Sequence, residues 1–357
     1  MIAGRIEKIK SALPKKAAAL ITNEADCFYL SGFNKSEGMV LITENSAALY
    51  VDFRYIEAAK AACGDNMEVL LTYSFLKDIG ERLKTEGVST VFVQSEHVTL
   101  ALKKSMEDRF EGINVSCELD IDKLVGDMRA VKNEYEISLI KSAQGITDRA
   151  FTYIKERISA GRTEREVALD LEFFMRKEGS EGTAFDTICV SGRNSSKPHG
   201  IPGDKVIEKG DFVTLDFGAA VGGYRSDMTR TVAVGSVTDK MRKVYNTVLE
   251  AQEAALAAIK PGMVCKDADK IARDIIDNAG FKGAFGHSLG HSVGIDIHED
   301  PSFSARCETL TKPGMVITVE PGIYLQNEFG VRIEDMIIVT ENGCEDITKS
   351  DKELIVL

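Results

Sequence analysis

No apolar run among the 357 residues approaches the roughly 20 needed to cross a bilayer, which argues against a membrane-spanning protein. The opening stretch MIAGRIEKIK alternates charged with apolar residues and lacks the apolar centre of a secretory signal. Positive charge is in short supply: 44 Lys and Arg stand against 56 Asp and Glu, a net charge of −12. Nonspecific binding to nucleic acid or to an anionic membrane wants the opposite balance, so neither is expected as a partner. The seven cysteines are scattered, at positions 27, 63, 117, 189, 265, 307 and 344, and none forms a CxxC pair. That pattern argues against a zinc knuckle or a disulfide framework and fits the reduced thiols of a cytoplasmic protein. What remains, with 44% hydrophobic and 28% charged residues, is ordinary globular composition in a chain long enough for two domains with real cores.

Histidine is scarce too, yet unevenly spent. Of five in the chain, His287, His291 and His298 fall within Phe285–Glu299, FGHSLGHSVGIDIHE. Glycines at 286, 290 and 294 disfavour a helix there, at about 1 kcal/mol each relative to alanine. The stretch therefore reads as a loop running into a strand, with the glycines permitting close approach of backbone or ligand. Any one of these histidines could be a polar core residue. Three of five in one segment point to a site.

The first third alternates strand and helix. An amphipathic opening helix (Ile2, Ile6, Ile9, Leu13) precedes a strand at 17–23, then a hairpin turning at Glu44-Asn45-Ser46. Further strands are read at MEVLLTY, TVFVQSE and INVSCEL, with helices between them, one stopped by Gly87. This is the pattern of an α/β domain with a mostly open sheet, assigned to residues 1–125. It has no phosphate-cradling glycine loop, its one histidine, His97, stands alone, and no chemistry is read from it. A long charged helix from Asn133 to about Ser159 opens the second domain, residues 126–357.

That second domain repeats itself at an offset of about 100 residues. Helix-like stretches start at Gly161 and Gly262 and close at Gly179 and Gly280. Ala184-Phe185 and Ala284-Phe285 follow, and then His199 and His298 at nearly equal distances. Asp216-Phe-Gly218 is echoed by Glu320-Pro-Gly322, and Arg225-Ser-Asp227 by Arg332-Ile-Glu334. Two such copies should pack about a pseudo-two-fold axis, bringing His199 opposite His298 and Asp216 and Asp227 opposite Glu320 and Glu334. Strand periodicity agrees. In DFVTLDFG, Val213, Leu215 and Phe217 face one way and Thr214 and Asp216 the other. Val316, Thr318 and Glu320 share a face, and VRIEDMIIV, read as one strand, puts Arg332 and Glu334 together. An acid inside an apolar strand is costly unless paired or coordinated. One could be an ion-pair partner of Arg225, Arg230 or Arg332; four of them call for more positive charge, which two divalent cations would supply.

The ordered set LDFG, SDMTR, GHSLGHSVGIDIHE, VEPGIY and RIED resembles the creatinase/aminopeptidase P/prolidase family of metallopeptidases, over residues from about 125 to 357. The domain before it is similar in size and layout to the family's N-terminal domain. The resemblance implies an α+β pita-bread catalytic domain, in a short Xaa-Pro aminopeptidase or Xaa-Pro dipeptidase. It implies a dinuclear metal site in which Asp216 holds one ion, His291 and Glu320 the other, and Asp227 and Glu334 bridge both. Oxygen-rich ligation with one imidazole suits Mn²⁺, with Co²⁺, Fe²⁺ or Zn²⁺ as alternatives. Such a pair activates a bridging hydroxide, with Glu320 as proton shuttle. His199 and His298 would donate hydrogen bonds to the substrate carbonyl or the tetrahedral intermediate. His287 resembles the family histidine that lines the pocket for the residue after the scissile bond. Tyr324 resembles a family tyrosine near the substrate, and Arg332 would either orient a ligand carboxylate or form a plain ion pair.

The implied substrate is a proline-containing peptide cut at Xaa-|-Pro, a tertiary amide without an N–H. By the same likeness a homodimer is expected, with the N-terminal domain helping to wall off the site. Three other readings carry different signatures. A methionine aminopeptidase shares fold and ligands but usually lacks so large a first domain. A creatinase-like hydrolase works without metal, and a catalytically inactive peptide-binding module typically has a broken ligand set. Here all five ligand positions are filled.

Overall fold

Alternating strands and helices build an open sheet at the start of the computed structural model, which describes residues 2–34 and 37–357. The chain divides into two units, Met1–Arg129 and Ala130–Leu357. The first comprises α1 Ile2–Ala12, β1 Ala17–Ile21, α2 Glu24–Ser31, β2 Met39–Thr43, β3 Ala47–Val51 and α3 Ile56–Cys63, followed by β4 Glu68–Leu71, α4 Phe75–Thr85, β5 Thr90–Val93, α5 Leu100–Arg109, β6 Asn114–Ser116 and α6 Ile121–Ala130. Its six strands run in the order β4-β3-β2-β1-β5-β6, with β1, β5 and β6 mutually parallel and β2 antiparallel to both neighbours. β1 reads AAALI and is buried at every position, as a central strand covered on both faces must be.

One helix of this unit has no clear periodic signal. α2 is eight residues long and buries Asp26, Cys27, Tyr29, Leu30 and Ser31, most of its circumference; Asn23 starts it by accepting the Asp26 N–H. α6 buries Ile121 and Val125 and carries the unit past residue 125.

The second unit passes twice through one sequence of elements. The first pass is α7 Glu134–Lys155, α8 Glu164–Lys177, β7 Ile188–Ser191, β8 Phe212–Phe217, the short hairpin β9 Ala220–Val221 and β10 Tyr224–Arg225, and β11 Met228–Ala233. The second is α9 Asp239–Ala258, α10 Cys265–Ile276, β12 Gly290–Ser292, β13 Glu299–Phe303, β14 Val316–Val319, the hairpin β15 Gly322–Leu325 and β16 Phe329–Arg332, β17 Asp335–Val339 and β18 Cys344–Asp346. The sheet β11-β8-β7 is matched by β17-β14-β12 inside the larger sheet β13-β12-β14-β17-β18, all antiparallel. This is the α+β fold with internal duplication.

Each sheet packs its own helices against one face. Val213, Leu215 and Phe217 join Phe151, Val167 and Leu171 of α7 and α8. Ile317, Val319 and Ile337 join Val248, Ala268 and Ala272 of α9 and α10. The other faces carry Asp216 and Glu320. Thr163 and Glu166 form a reciprocal capping box at the start of α8, as Asn133 and Glu136 do for α7. Two glycines permit close backbone crossings: a Cβ on Gly290 would lie 1.9 Å from the Thr318 carbonyl oxygen, and one on Gly218 would lie 1.8 Å from that of Ser226.

One strand reading needs correction. VRIEDMIIV is not continuous, because β16 ends at Arg332 and β17 begins at Asp335 in a different sheet. Between them Ile333 is buried in the α9/α10 core, and the Glu334 N–H donates to Thr229 O at 3.1 Å, steering the chain from hairpin to sheet.

Candidate metal centre

Five side chains converge where the two copies meet. β8 supplies Asp216, the residue before β11 is Asp227, and β12 supplies His291; Glu320 follows β14 and Glu334 precedes β17. His291 Nε2 lies 3.6 Å from Asp227 Oδ2 and 3.5 Å from Glu320 Oε1. Ligand atoms of Asp227, His291 and Glu334 all lie within 4.8 Å of one another. His291 Nδ1–H donates to its neighbour's carbonyl, Ser292 O, at 3.2 Å, which fixes the tautomer and leaves Nε2 bare toward the acids. Burial, with His298 close by, lowers His291 to about 4 and keeps it neutral.

The acids are under strong mutual stress. Burial first, and then the charges of Glu334, Asp216 and Glu320, raises Asp227 well above the usual carboxylate range. Glu334 is pushed the same way by burial, Glu320 and Asp216. Burial raises Glu320 to about 8, although Arg332 opposes it. Among the described residues, Asp216 Oδ1 and Asp227 Oδ1 are buried without a hydrogen-bond partner. Unpartnered buried carboxylate oxygens are costly, and a cation between such acids satisfies them. The donor set, four carboxylates and one bare imidazole nitrogen, fits hard or borderline divalent ions.

Arg332 organises the wall behind this cluster. Its Nη2 donates to Asp216 Oδ2 at 2.5 Å, its Nε to Thr229 Oγ1 at 2.9 Å and its Nη1 to the Tyr324 hydroxyl at 2.8 Å. Thr229 in turn donates to Glu334 Oε2 at 2.6 Å. Arg332 thus reaches Asp216 directly and Glu334 through Thr229. Thr318 Oγ1 accepts the His291 N–H and lies 3.3 Å from Glu320 Oε1. The sequence placed Thr318 on the face of Glu320 without showing what it bonds, and gave no sign of Thr229, which register pairs with Asp216.

The cluster opens into a cavity of about 600 Å³ whose lining includes all five of these residues together with His199, His287, His298 and Arg332. Phe185, Ile188 and Ile297 make an apolar wall that sequence reading did not single out as a site. His287 Nδ1–H donates to Ser288 O, so its Nε2 accepts from the Tyr324 hydroxyl at 2.9 Å. Burial, helped by the Arg332 charge, lowers His287 to about 4. Tyr324, expected near the substrate, is not among the cavity-lining residues; His287 and Arg332 occupy its hydroxyl. In the first unit His97 is not isolated, since it groups with Glu96 and Asp122. That grouping is largely exposed, and Asp122 already accepts the Ser95 hydroxyl and the Glu96 N–H.

Against this geometry, comparison with known proteins gives a consistent result. The profile for metallopeptidase family M24 matches residues 138–341, and that for the creatinase/prolidase N-terminal domain matches residues 5–131. A protein named Xaa-Pro dipeptidase from Pyrococcus horikoshii is 40% identical, over 98% of both chains. The solved Xaa-Pro dipeptidase from Bacillus anthracis superposes with a TM-score of 0.96 at 40% identity, covering 100% of both chains. An X-Pro aminopeptidase from Thermotoga maritima gives 0.90 at 40% identity, covering 98% of this chain and 100% of the other. Among the described residues no helix is long and apolar enough to cross a membrane.

Proposed function

The chain belongs to metallopeptidase family M24, and from that premise we propose that it hydrolyses the bond between an N-terminal residue and proline in dipeptides and/or longer peptides. The observation that carries the reading is the meeting of Asp216, Asp227, His291, Glu320 and Glu334 in one cavity with two carboxylate oxygens unpartnered. We assign those five as ligands of two divalent cations, with Mn²⁺ preferred on the oxygen-rich donor set. When bound, the cations neutralise the acids, polarise the scissile carbonyl and lower the pKa of a shared water.

The chain's own groups do the rest. Glu320, which lines the cavity beside His291, moves a proton from the nucleophile toward the leaving amine. His298 and His199 donate hydrogen bonds to the carbonyl oxygen as it gains charge. His287, kept neutral and oriented by Tyr324, lines the pocket for the proline ring together with apolar side chains such as Phe185. Family likeness also supports a homodimer, and composition a cytoplasmic location.

The deciding experiment compares Xaa-Pro dipeptides with Xaa-Pro-Yaa tripeptides under added Mn²⁺, with Met-Ala-Yaa as control, and metal analysis of the same preparation. Cleavage confined to the proline peptides, dependent on bound metal, is the expected result. Preferential release of methionine from the control, or turnover by metal-free protein, would overturn the reading.

A further inference from the structure

We propose that two buried carboxylates outside the cavity lining, Glu299 and Glu164, are positioning residues that set His298 and His199 by holding the backbone of their loops. The proposal rests on the reading of those histidines as donors to substrate.

Residues 293–298 turn the chain from β12 into β13 and bring Ile297 and His298 to the cavity. Glu299 is not among the cavity-lining residues, yet its Oε1 accepts the N–H of Ile295 at 2.9 Å and of Asp296 at 3.2 Å. Its Oε2 accepts from Lys132 Nζ at 3.0 Å, and the two side chains are only 6% and 1% exposed. The carboxylate lies so close to the turn that a Cβ on Gly294 would come within 2.6 Å of both its oxygens. From the other side Arg225 holds the carbonyls: its N–H donates to Gly294 O at 2.9 Å and its Nε to Ile295 O at 2.8 Å. The turn is thus gripped at donors and acceptors alike, immediately before His298.

The first copy has the same device built from different residues. Glu164, in the first turn of α8, is fully buried. Its Oε1 accepts the Ser191 N–H at 2.7 Å, and its Oε2 accepts the Gly203 N–H at 3.3 Å. Asn194 Nδ2 donates to both oxygens, at 3.1 and 3.3 Å. The segment so tied off, between Ser191 and Gly203, is the one that carries His199. Charge-assisted hydrogen bonds to backbone N–H groups are short and strong, and away from water they fix a loop in one geometry. Burying an ion is a poor way to gain stability alone, since apolar replacements often do as well. Two such ions, each gripping the loop of one candidate catalytic histidine, are explained by placement.

The test uses the full-length protein loaded with diamagnetic Zn²⁺ and follows the imidazole signals of its five histidines by NMR, assigned by single His→Ala variants. Glu299→Gln and Lys132→Met are expected to move or broaden the His298 signal and leave His97 unchanged, while Glu164→Gln does the same to His199. With Mn²⁺ on an Xaa-Pro substrate, Glu299→Gln should lower kcat on the order of 10-fold with little change in KM. That loss should largely vanish in a His298→Ala background, because both changes remove the same interaction. If Glu299→Gln does not fold, Lys132→Met carries the comparison. The proposal is overturned if the target signals stay in place, if all five move together, or if the kcat loss persists undiminished in the His298→Ala background. If the signals move as expected while neither His298→Ala nor Glu299→Gln slows turnover, positioning stands and the donor reading of His298 fails.

Discussion

Glu334 and Asp335 are neighbours in sequence and opposites in surroundings. Glu334 faces the acid cluster, where burial, Glu320 and Asp216 raise it well above the usual carboxylate range when no cation is bound. Asp335 faces away, where Arg230 donates to it at 2.6 Å, Gln252 at 2.6 Å and Lys352 at 2.7 Å. Burial pushes Asp335 up, but Arg230 and Lys352 more than compensate and hold it below the usual range. Removing its charge leaves Arg230 buried and uncompensated, so Asp335→Asn is expected to destabilise the protein by about 3–5 kcal/mol. Urea denaturation checks this. Glu334→Gln should do the reverse kind of damage: a folded protein of near-normal or raised metal-free stability, bound metal below two per chain and activity down by orders of magnitude. Asp227→Asn should match it. Metal analysis beside a melting curve separates the two phenotypes, and full metal content with normal turnover in either variant would sink the ligand assignment.

At the scale of the element, the glycines of the histidine-rich stretch carry a sharper expectation than their number suggests. Gly290 lies where β12 crosses Thr318, and a methyl group there meets a carbonyl that is itself part of β14. Gly290→Ala should push His291 out of place, so metal affinity should fall together with thermal stability. A melting temperature within a degree of the parent protein, with unchanged metal affinity, would contradict this. Such elements were legible because their pattern is local: the alternation in DFVTLDFG separates Asp216 from the core, and the paired glycines frame α8 and α10. α2 was not legible, because it is buried on most sides and has no polar face to set a period. Nor was the break at Ile333, whose apolar side chain continues the strand pattern while the backbone changes sheets. Thr229 and the bonding role of Thr318 were hidden for another reason: a threonine in a strand is ordinary until the groups its hydroxyl meets across strands are known.

The whole molecule should respond to pH in opposite ways with and without metal. Glu320 is raised from its ordinary 4.5 to about 8, and Asp227 and Glu334 are raised too, so the folded chain binds their protons more tightly than the unfolded chain does. Stability from these groups is complete below their ordinary values and is lost as pH rises through the folded ones. The metal-free protein should therefore melt at progressively lower temperature from about pH 4.5 to about 8. Metal binding must displace those protons, so the loaded protein should gain stability over the same range. At pH 7 roughly one proton or more should be released on binding, visible as a calorimetric enthalpy that changes with the buffer. A metal-free melting curve that rises across this range would refute the assignment of a proton-holding cluster.

The doubled architecture has a genetic corollary. Duplication usually provides a spare, so that damage to one copy is covered by the other. Here the copies have parted ways: Arg332 holds Asp216, whereas its counterpart Arg225 holds the turn before His298. The first copy brings two of the assigned ligands, Asp216 and Asp227, and the second brings His291, Glu320 and Glu334. Neither half can stand in for the other at any of these positions, so a lesion in one meets no backup from its twin.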